Sequence, residues 1–160
     1  MTTPDLSRSE AAAALICRRQ AGQPQWFARW NRNWRCFFLV GGHRKKSESF
    51  RDCLVREIRE ELGIQENLHF VAPHTAAARV EYDAWSERTK AWTHYVFDLF
   101  DVQASAGLQW ERADSAEPVR WLSEREVRAG RTDDGQDVSP TMIRLLSSVQ
   151  WKCPGDTTDR

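Results

Sequence analysis

The chain has 160 residues, with 23 Lys plus Arg against 23 Asp plus Glu, so its formal net charge at neutral pH is zero. That balance excludes a general electrostatic pull toward a nucleic-acid polymer or an anionic membrane. The length implies one domain that buries roughly two-thirds of its unfolded surface.

The opening stretch, MTTPDLSRSEAAAALICRRQ, sets a short apolar run behind an acidic, polar leader and reads as neither a signal peptide nor a membrane span. Residues 1–10 are expected to be a flexible N-terminus, ahead of a single domain over residues 11–151. Residues 12–19 and 25–30 read as strands joined by a turn at Gly22 and Pro24. Residues 35–40 form a third, mostly apolar strand that runs into the pair Gly41-Gly42. Downstream, residues 75–82 and 91–102 predict a hairpin around Ser86-Glu87-Arg88, and the second of these strands is apolar on both faces, as a central strand is. Residues 119–122 form a short strand, and Ser123 caps a brief helix containing Glu124, Glu126 and Val127. Asp133-Asp134-Gly135 is a turn, and Ser139-Pro140 opens a last helix running to about Gln150. Residues 152–160 are polar and expected to fray. Cys17, Cys36, Cys53 and Cys153 are scattered, without a Cys-x-x-Cys pair. Reduced thiols in a cytoplasmic protein are the expectation.

The densest chemistry lies between these strands, in GHRKKSESFRDCLVREIREELGI, residues 42–64. Ser47 is placed to cap a helix whose first turn carries Glu48, where a carboxylate favours the positive end of the backbone dipole. Gly63 supplies the stop. Phe50, Leu54, Ile58 and Leu62 recur every four residues and predict an apolar stripe facing a core. Glu57, Glu60 and Glu61 are three and four apart and therefore share an adjacent face. Carboxylates at that spacing repel one another, and clustered hard oxygens suit Mg²⁺ or Mn²⁺ better than any soft metal.

The whole segment resembles the Nudix box, with every signature position filled: Gly42, Glu48, Arg56-Glu57-Ile58, Glu60-Glu61 and Gly63-Ile64. The resemblance implies an α/β protein, an α/β/α sandwich whose mixed sheet carries the box helix on one face, with a C-terminal helix besides. It implies hydrolysis of a nucleoside diphosphate linked to another moiety, with Mg²⁺ as cofactor and Mn²⁺ as a substitute. In that family Glu60, Glu61 and Glu57 would bind the cations, Arg56 would orient Glu57, Glu48 would brace loop and helix, and the carbonyl of Gly41 would complete the metal shell. A further glutamate before a late strand often joins the catalysis, and Glu117 in Ala-Glu-Pro-Val-Arg-Trp is the match, ahead of Glu111. Two positions depart from the common pattern: Val40 stands where many members have proline, and Ser47 where many have glycine.

Eight tryptophans are unusual for this length. Trp30 and Trp34 flank Asn31-Arg32-Asn33 just before the glycine pair, and a nucleobase needs a stacking ring and a polar edge reader. Both are candidate substrate contacts, as is Arg44 of the basic run His43-Arg44-Lys45-Lys46, which offers point charges to a phosphate. Phe37 and Leu39 read as core, and His94 as a buried, satisfied histidine. The expected partner is a small nucleotide-type substrate, with no membrane and no polymer, and with a homodimer compatible. Landmarks of the ADP-ribose and diadenosine polyphosphate subgroups are absent, since Ala78 and Arg79 stand where a proline is expected and Tyr82 is displaced. A nucleotide-binding module of the same fold without turnover is the alternative, although such modules often lose box carboxylates that this chain keeps.

Overall fold

The computed structural model describes residues 5–154. Two sheets form the frame. The first has the order β5-β1-β8-β7, made of β1 (Ser7–Leu15), β5 (Gly41–His43), β7 (Ala78–Ser86) and β8 (Ala91–Asp101). β1 runs parallel to β8 and antiparallel to β5, and β7 is antiparallel to β8, so the sheet is mixed. The second has the order β10-β3-β2, with β2 (Cys17–Gln20), β3 (Gln23–Asn31) and β10 (Val119–Ser123), and β4 (Cys36–Leu39) also pairs with β3. β6 (Phe70–Val71) and β9 (Gln103–Ala104) make a two-stranded ribbon.

Alternation along β1 divides the core. Ala11, Ala13 and Leu15 enter one apolar cluster with Val127, Met142, Leu145 and Leu146, while Ala12, Ala14 and Ile16 enter another with Leu54, Ile58 and Leu62. The first cluster lies under α2 (Glu124–Ala129) and α3 (Thr141–Ser148), the second under α1 (Phe50–Leu62). Successive residues of a strand point to opposite faces, so helices on both sides follow from an apolar run with no polar alternate. The architecture is the expected α/β one, with mixed sheets between helices.

The predicted stripe on α1 holds for Leu54, Ile58 and Leu62, all 0 % exposed, each worth about 1.5–3 kcal/mol of burial. Phe50 is only half-buried and lies under the guanidinium groups of Arg44 and Arg79. The helix starts two residues later than expected. Ser49, not Ser47, is the N-cap, its hydroxyl accepting from Asp52 N at 3.0 Å, which leaves Glu48 outside the first turn and free to bond elsewhere. Gly63 ends the helix in the left-handed conformation, φ 66°, where a Cβ would be strained.

Four other expectations are corrected. β1 begins at Ser7, inside the segment expected to be flexible, because pairing with β8 from Ser7↔Thr93 onward satisfies its backbone. Cys17 and Cys153 form a disulfide with Cα atoms 5.4 Å apart, and Cys36 and Cys53 are free and buried, so two of the four thiols expected to be reduced are not. That bridge, with Trp151 packed edge-on against Trp26, ties down the start of the tail expected to fray; residues 155–160 of that tail lie outside the described residues. His94 is partly exposed and held by Asp83 at 2.6 Å and Glu81 at 3.3 Å, so it is satisfied but not buried, and these carboxylates raise its pKa. Ser123 does cap α2, in a reciprocal box with Glu126. No helix among the described residues is long and apolar enough to cross a membrane.

Candidate functional site

The chain changes sheets between β4 and β5. Val40 O accepts from Ala14 N at 2.8 Å, and Gly41 and Gly42 then pair with Ala13 and Ala12 of β1. Glycine is required twice here by space. A Cβ on Gly41 would stand 2.1 Å from Ala12 O, and one on Gly42 would stand 2.5 Å from the Glu57 carboxylate. The first glycine lets two backbones approach, and the second lets an acid of α1 lie against the strand.

Around this point Arg56 organises the acids. It binds Glu48 through two nitrogens, Nη2 to Oε1 at 2.7 Å and Nε to Oε2 at 3.0 Å, while Nη1 donates to Glu57 Oε1 at 2.9 Å and to Glu60 Oε2 at 3.2 Å. Glu48 also accepts from Lys45 N at 2.8 Å. The guanidinium and this backbone bond hold the Glu48 carboxyl at about 2. A bidentate arginine pair is among the strong polar contacts available to a protein. Arg56 and Glu48 thus tie the loop to the helix.

The three acids of α1 are not equivalent. Glu61 is largely buried and is pushed up to about 7 by desolvation, against the opposing charge of Arg29 and with the neighbouring Glu57 pushing it further up. Its Oε2 accepts from Gly41 N at 3.3 Å, and Arg29 Nη1 is 4.0 Å from Oε1. Glu57 is close enough to share a hydrogen bond with it. Glu60 is half exposed and turned to Arg56. Among the described residues no three His, Cys, Asp or Glu side chains converge as a ready-made metal cluster. The donor chemistry nevertheless fits a hard divalent cation at Glu57 and Glu61, because two facing carboxylates that repel each other are relieved by such an ion. Glu60 holds Arg56 through Oε2 instead.

Glu61, Gly41 and Gly42 line a cleft of about 990 Å³ between the two sheets. Trp30 and Trp34 line it, together with Tyr82, Tyr95 and Phe97. Trp34 is 47 % exposed and meets Phe38 edge-on, and Trp30 meets Phe37 in the same way. Tyr82 stacks on Tyr95 with ring centroids 5.3 Å apart. Concave, aromatic walls with a few convergent polar groups are what small-molecule sites are made of.

Two of the predicted residues lie elsewhere. Arg44 is not on the cleft wall: it donates to Glu10 Oε1 and to the Glu48 carbonyl, each at 2.8 Å, so its charge is spent on holding the loop. Glu117 is also off the cleft lining and pairs with Arg32 at 2.6 Å. Glu111 accepts from Trp121 Nε1 at 3.4 Å on a short 3-10 turn. Arg29 is the residue that the sequence reading missed. It joins Glu61 to the loop before β10, donating through Nε to Ser115 Oγ at 3.1 Å, and only the antiparallel pairing of β3 with β10, Arg29↔Val119, brings these together.

The NUDIX domain family profile matches residues 6–146. No curated protein matches the chain in sequence. Among solved structures it is similar to a NUDIX hydrolase from Nitrosomonas europaea, at 19 % identity and a TM-score of 0.57, over 96 % of this chain and 97 % of that one. A Caenorhabditis elegans Ap4A hydrolase is 16 % identical with a TM-score of 0.56, over 88 % and 95 %. The NUDIX domain of Shewanella oneidensis NrtR, complexed with ADP ribose, is 14 % identical with a TM-score of 0.52, over 93 % and 92 %.

Proposed function

The chain belongs to the Nudix family, and on that premise we propose that it cleaves the diphosphate bridge of a nucleoside diphosphate linked to another moiety, with Mg²⁺ or Mn²⁺ as cofactor. The observation that carries this reading is Glu61 on the lining of an aromatic cleft beside the glycine pair, with Glu57 packed against it and against Gly42. Repulsion between them is a standing cost that a divalent cation removes.

Glu57 and Glu61 would hold the ion, with Glu60 and the Gly41 carbonyl as further donors. When bound, it supplies charge neutralisation at the diphosphate oxygens and a lowered pKa for the attacking water. The remaining work falls to the chain itself. Arg56 fixes the Glu57 rotamer and is fixed in turn by Glu48, and Arg29 balances Glu61. Trp30 and Trp34 offer ring faces to a base, with Asn31 and Asn33 beside them on the cleft wall. We assign the general base to the Glu57–Glu61 pair rather than to Glu117, whose carboxylate is engaged by Arg32. The likeness to an Ap4A hydrolase and to a domain complexed with ADP ribose supports a nucleotide-type substrate.

The test is a panel of nucleoside diphosphate derivatives incubated with Mg²⁺ and, separately, Mn²⁺. The expected result is metal-dependent release of a nucleoside monophosphate from at least one of them. No release from any member with either metal would leave a nucleotide-binding module as the better description.

A further inference from the structure

The charges around the cleft are unevenly committed. Arg8 lies 3.6 Å from Glu10, Arg29 faces Glu61, Arg56 binds Glu48, and Arg44, off the cleft wall, binds Glu10 and the Glu48 carbonyl through its two terminal nitrogens while its buried Nε has no hydrogen-bond partner among the described residues. Arg88 differs. It sits in the exposed turn between β7 and β8, lines the same cleft as Gly42, His43 and Glu61, and has no carboxylate paired with it among the described residues. Its neighbour Glu87 is taken by Lys90 at 2.5 Å. The turn therefore carries one unpaired guanidinium to the cleft that Glu61 also lines, near enough for its charge to be felt by His43. An exposed, unpaired arginine on a cleft wall is matched by an anion with several oxygens, which its planar fork can bind through two of them.

Resting on the diphosphate reading above, we propose that Arg88 is a substrate-binding residue that grips the phosphate of the substrate lying farther from the Glu57–Glu61 pair. The hairpin would then serve as one jaw of the site and the glycine pair with α1 as the other. A nucleoside diphosphate derivative spans both jaws, whereas a nucleoside monophosphate reaches only one. Selection of diphosphates over monophosphates follows from that span.

The experiment measures calorimetric binding of methylenediphosphonate, a non-cleavable diphosphate, in Mg²⁺ buffer to the wild-type chain, Arg88→Ala and Arg88→Lys. Mn²⁺ titration and thermal unfolding of each variant run alongside. Loss of one charge-assisted contact corresponds to about a 10- to 100-fold weakening in Arg88→Ala, with Arg88→Lys in between because it keeps the charge and loses the fork. Wild-type binding should weaken with added salt more steeply than that of Arg88→Ala, while Mn²⁺ affinity and the unfolding midpoint stay the same. A purely structural role would shift the midpoint and leave the salt dependence alone. Equal binding by wild type and Arg88→Ala, or no uptake of the diphosphate by wild type, overturns the assignment. If wild type binds and Arg88→Ala does not, yet nothing in the substrate panel is hydrolysed, Arg88 keeps its role and the hydrolase reading fails.

Discussion

Replacing Gly42 by alanine separates Glu57, a proposed metal ligand, from the fold. The added Cβ would lie 2.5 Å from Cδ and Oε1 of Glu57 and 2.8 Å from Oε2, closer than real atoms approach. Because the obstacle is the end of a side chain, the contact is relieved when Glu57 swings away and gives up its 2.9 Å bond from Arg56. One charge-assisted bond and an unfavourable rotamer amount to about 1–3 kcal/mol, which for a chain of this size lowers the unfolding midpoint by roughly 2–4 °C per kcal/mol. Metal affinity should suffer more, falling by at least about 10- to 100-fold, the range found even for groups one layer behind the ligands. Gly41→Ala is the contrasting case. Its Cβ would meet Ala12 O at 2.1 Å and Ala13 Cα at 2.8 Å, both backbone atoms of an internal strand that no rotamer can clear, so the fold itself is lost or weakened by about 3 kcal/mol or more. The assay pairs thermal unfolding with calorimetric Mn²⁺ titration. Wild-type Mn²⁺ affinity in Gly42→Ala, or a larger stability loss there than in Gly41→Ala, would refute the view that Gly42 exists to make room for Glu57.

Three further outcomes are expected. Glu48 titrates near 2 in the folded chain against an ordinary 4.5, so its stabilisation is complete above pH 4.5 and disappears as pH falls toward 2. Glu48→Gln should therefore cost about 1–3 kcal/mol at pH 7 and progressively less in denaturant melts at pH 4 and 3; a loss independent of pH would contradict the ion-pair assignment. With Glu61 pushed up to about 7, a cation must displace a proton below that value, and apparent Mn²⁺ affinity should rise about tenfold from pH 6 to pH 8. A flat profile would show that Glu61 is no ligand. Cys153→Ser, which opens the link to Cys17 across 136 positions, should lower stability by about 2–5 kcal/mol, read as a drop in midpoint that dithiothreitol reproduces in the wild type and does not deepen in the variant.

Local features were the legible ones. The α1 stripe, the Gly63 stop and the Ser123 cap depend on residues within one or two helical turns, where spacing settles the geometry. The Arg56–Glu48 brace was legible by resemblance, since those two positions belong to a recognised pattern. The cap of α1 was misplaced because Ser47 and Ser49 both qualify and only the Asp52 N–H bond distinguishes them. Arg44 looked like a phosphate contact because its partner Glu10 lies 34 positions away on β1. Arg29 beside Glu61, the cleft between the sheets and the Cys17–Cys153 link all arise from pairings distant in sequence, which no local periodicity encodes. β6 and β9, two residues each, are too short for any pattern to show.

Steady-state turnover of the best panel substrate by wild type and Glu61→Gln, with Mg²⁺ at saturation for the wild type, reaches the proposed chemistry most directly. The substitution keeps the shape of a largely buried side chain and its bond from Gly41 N while removing the charge. Metal-dependent release of a nucleoside monophosphate by wild type, reduced at least about 100-fold in Glu61→Gln, is the predicted result. Equal rates in the two proteins would contradict it.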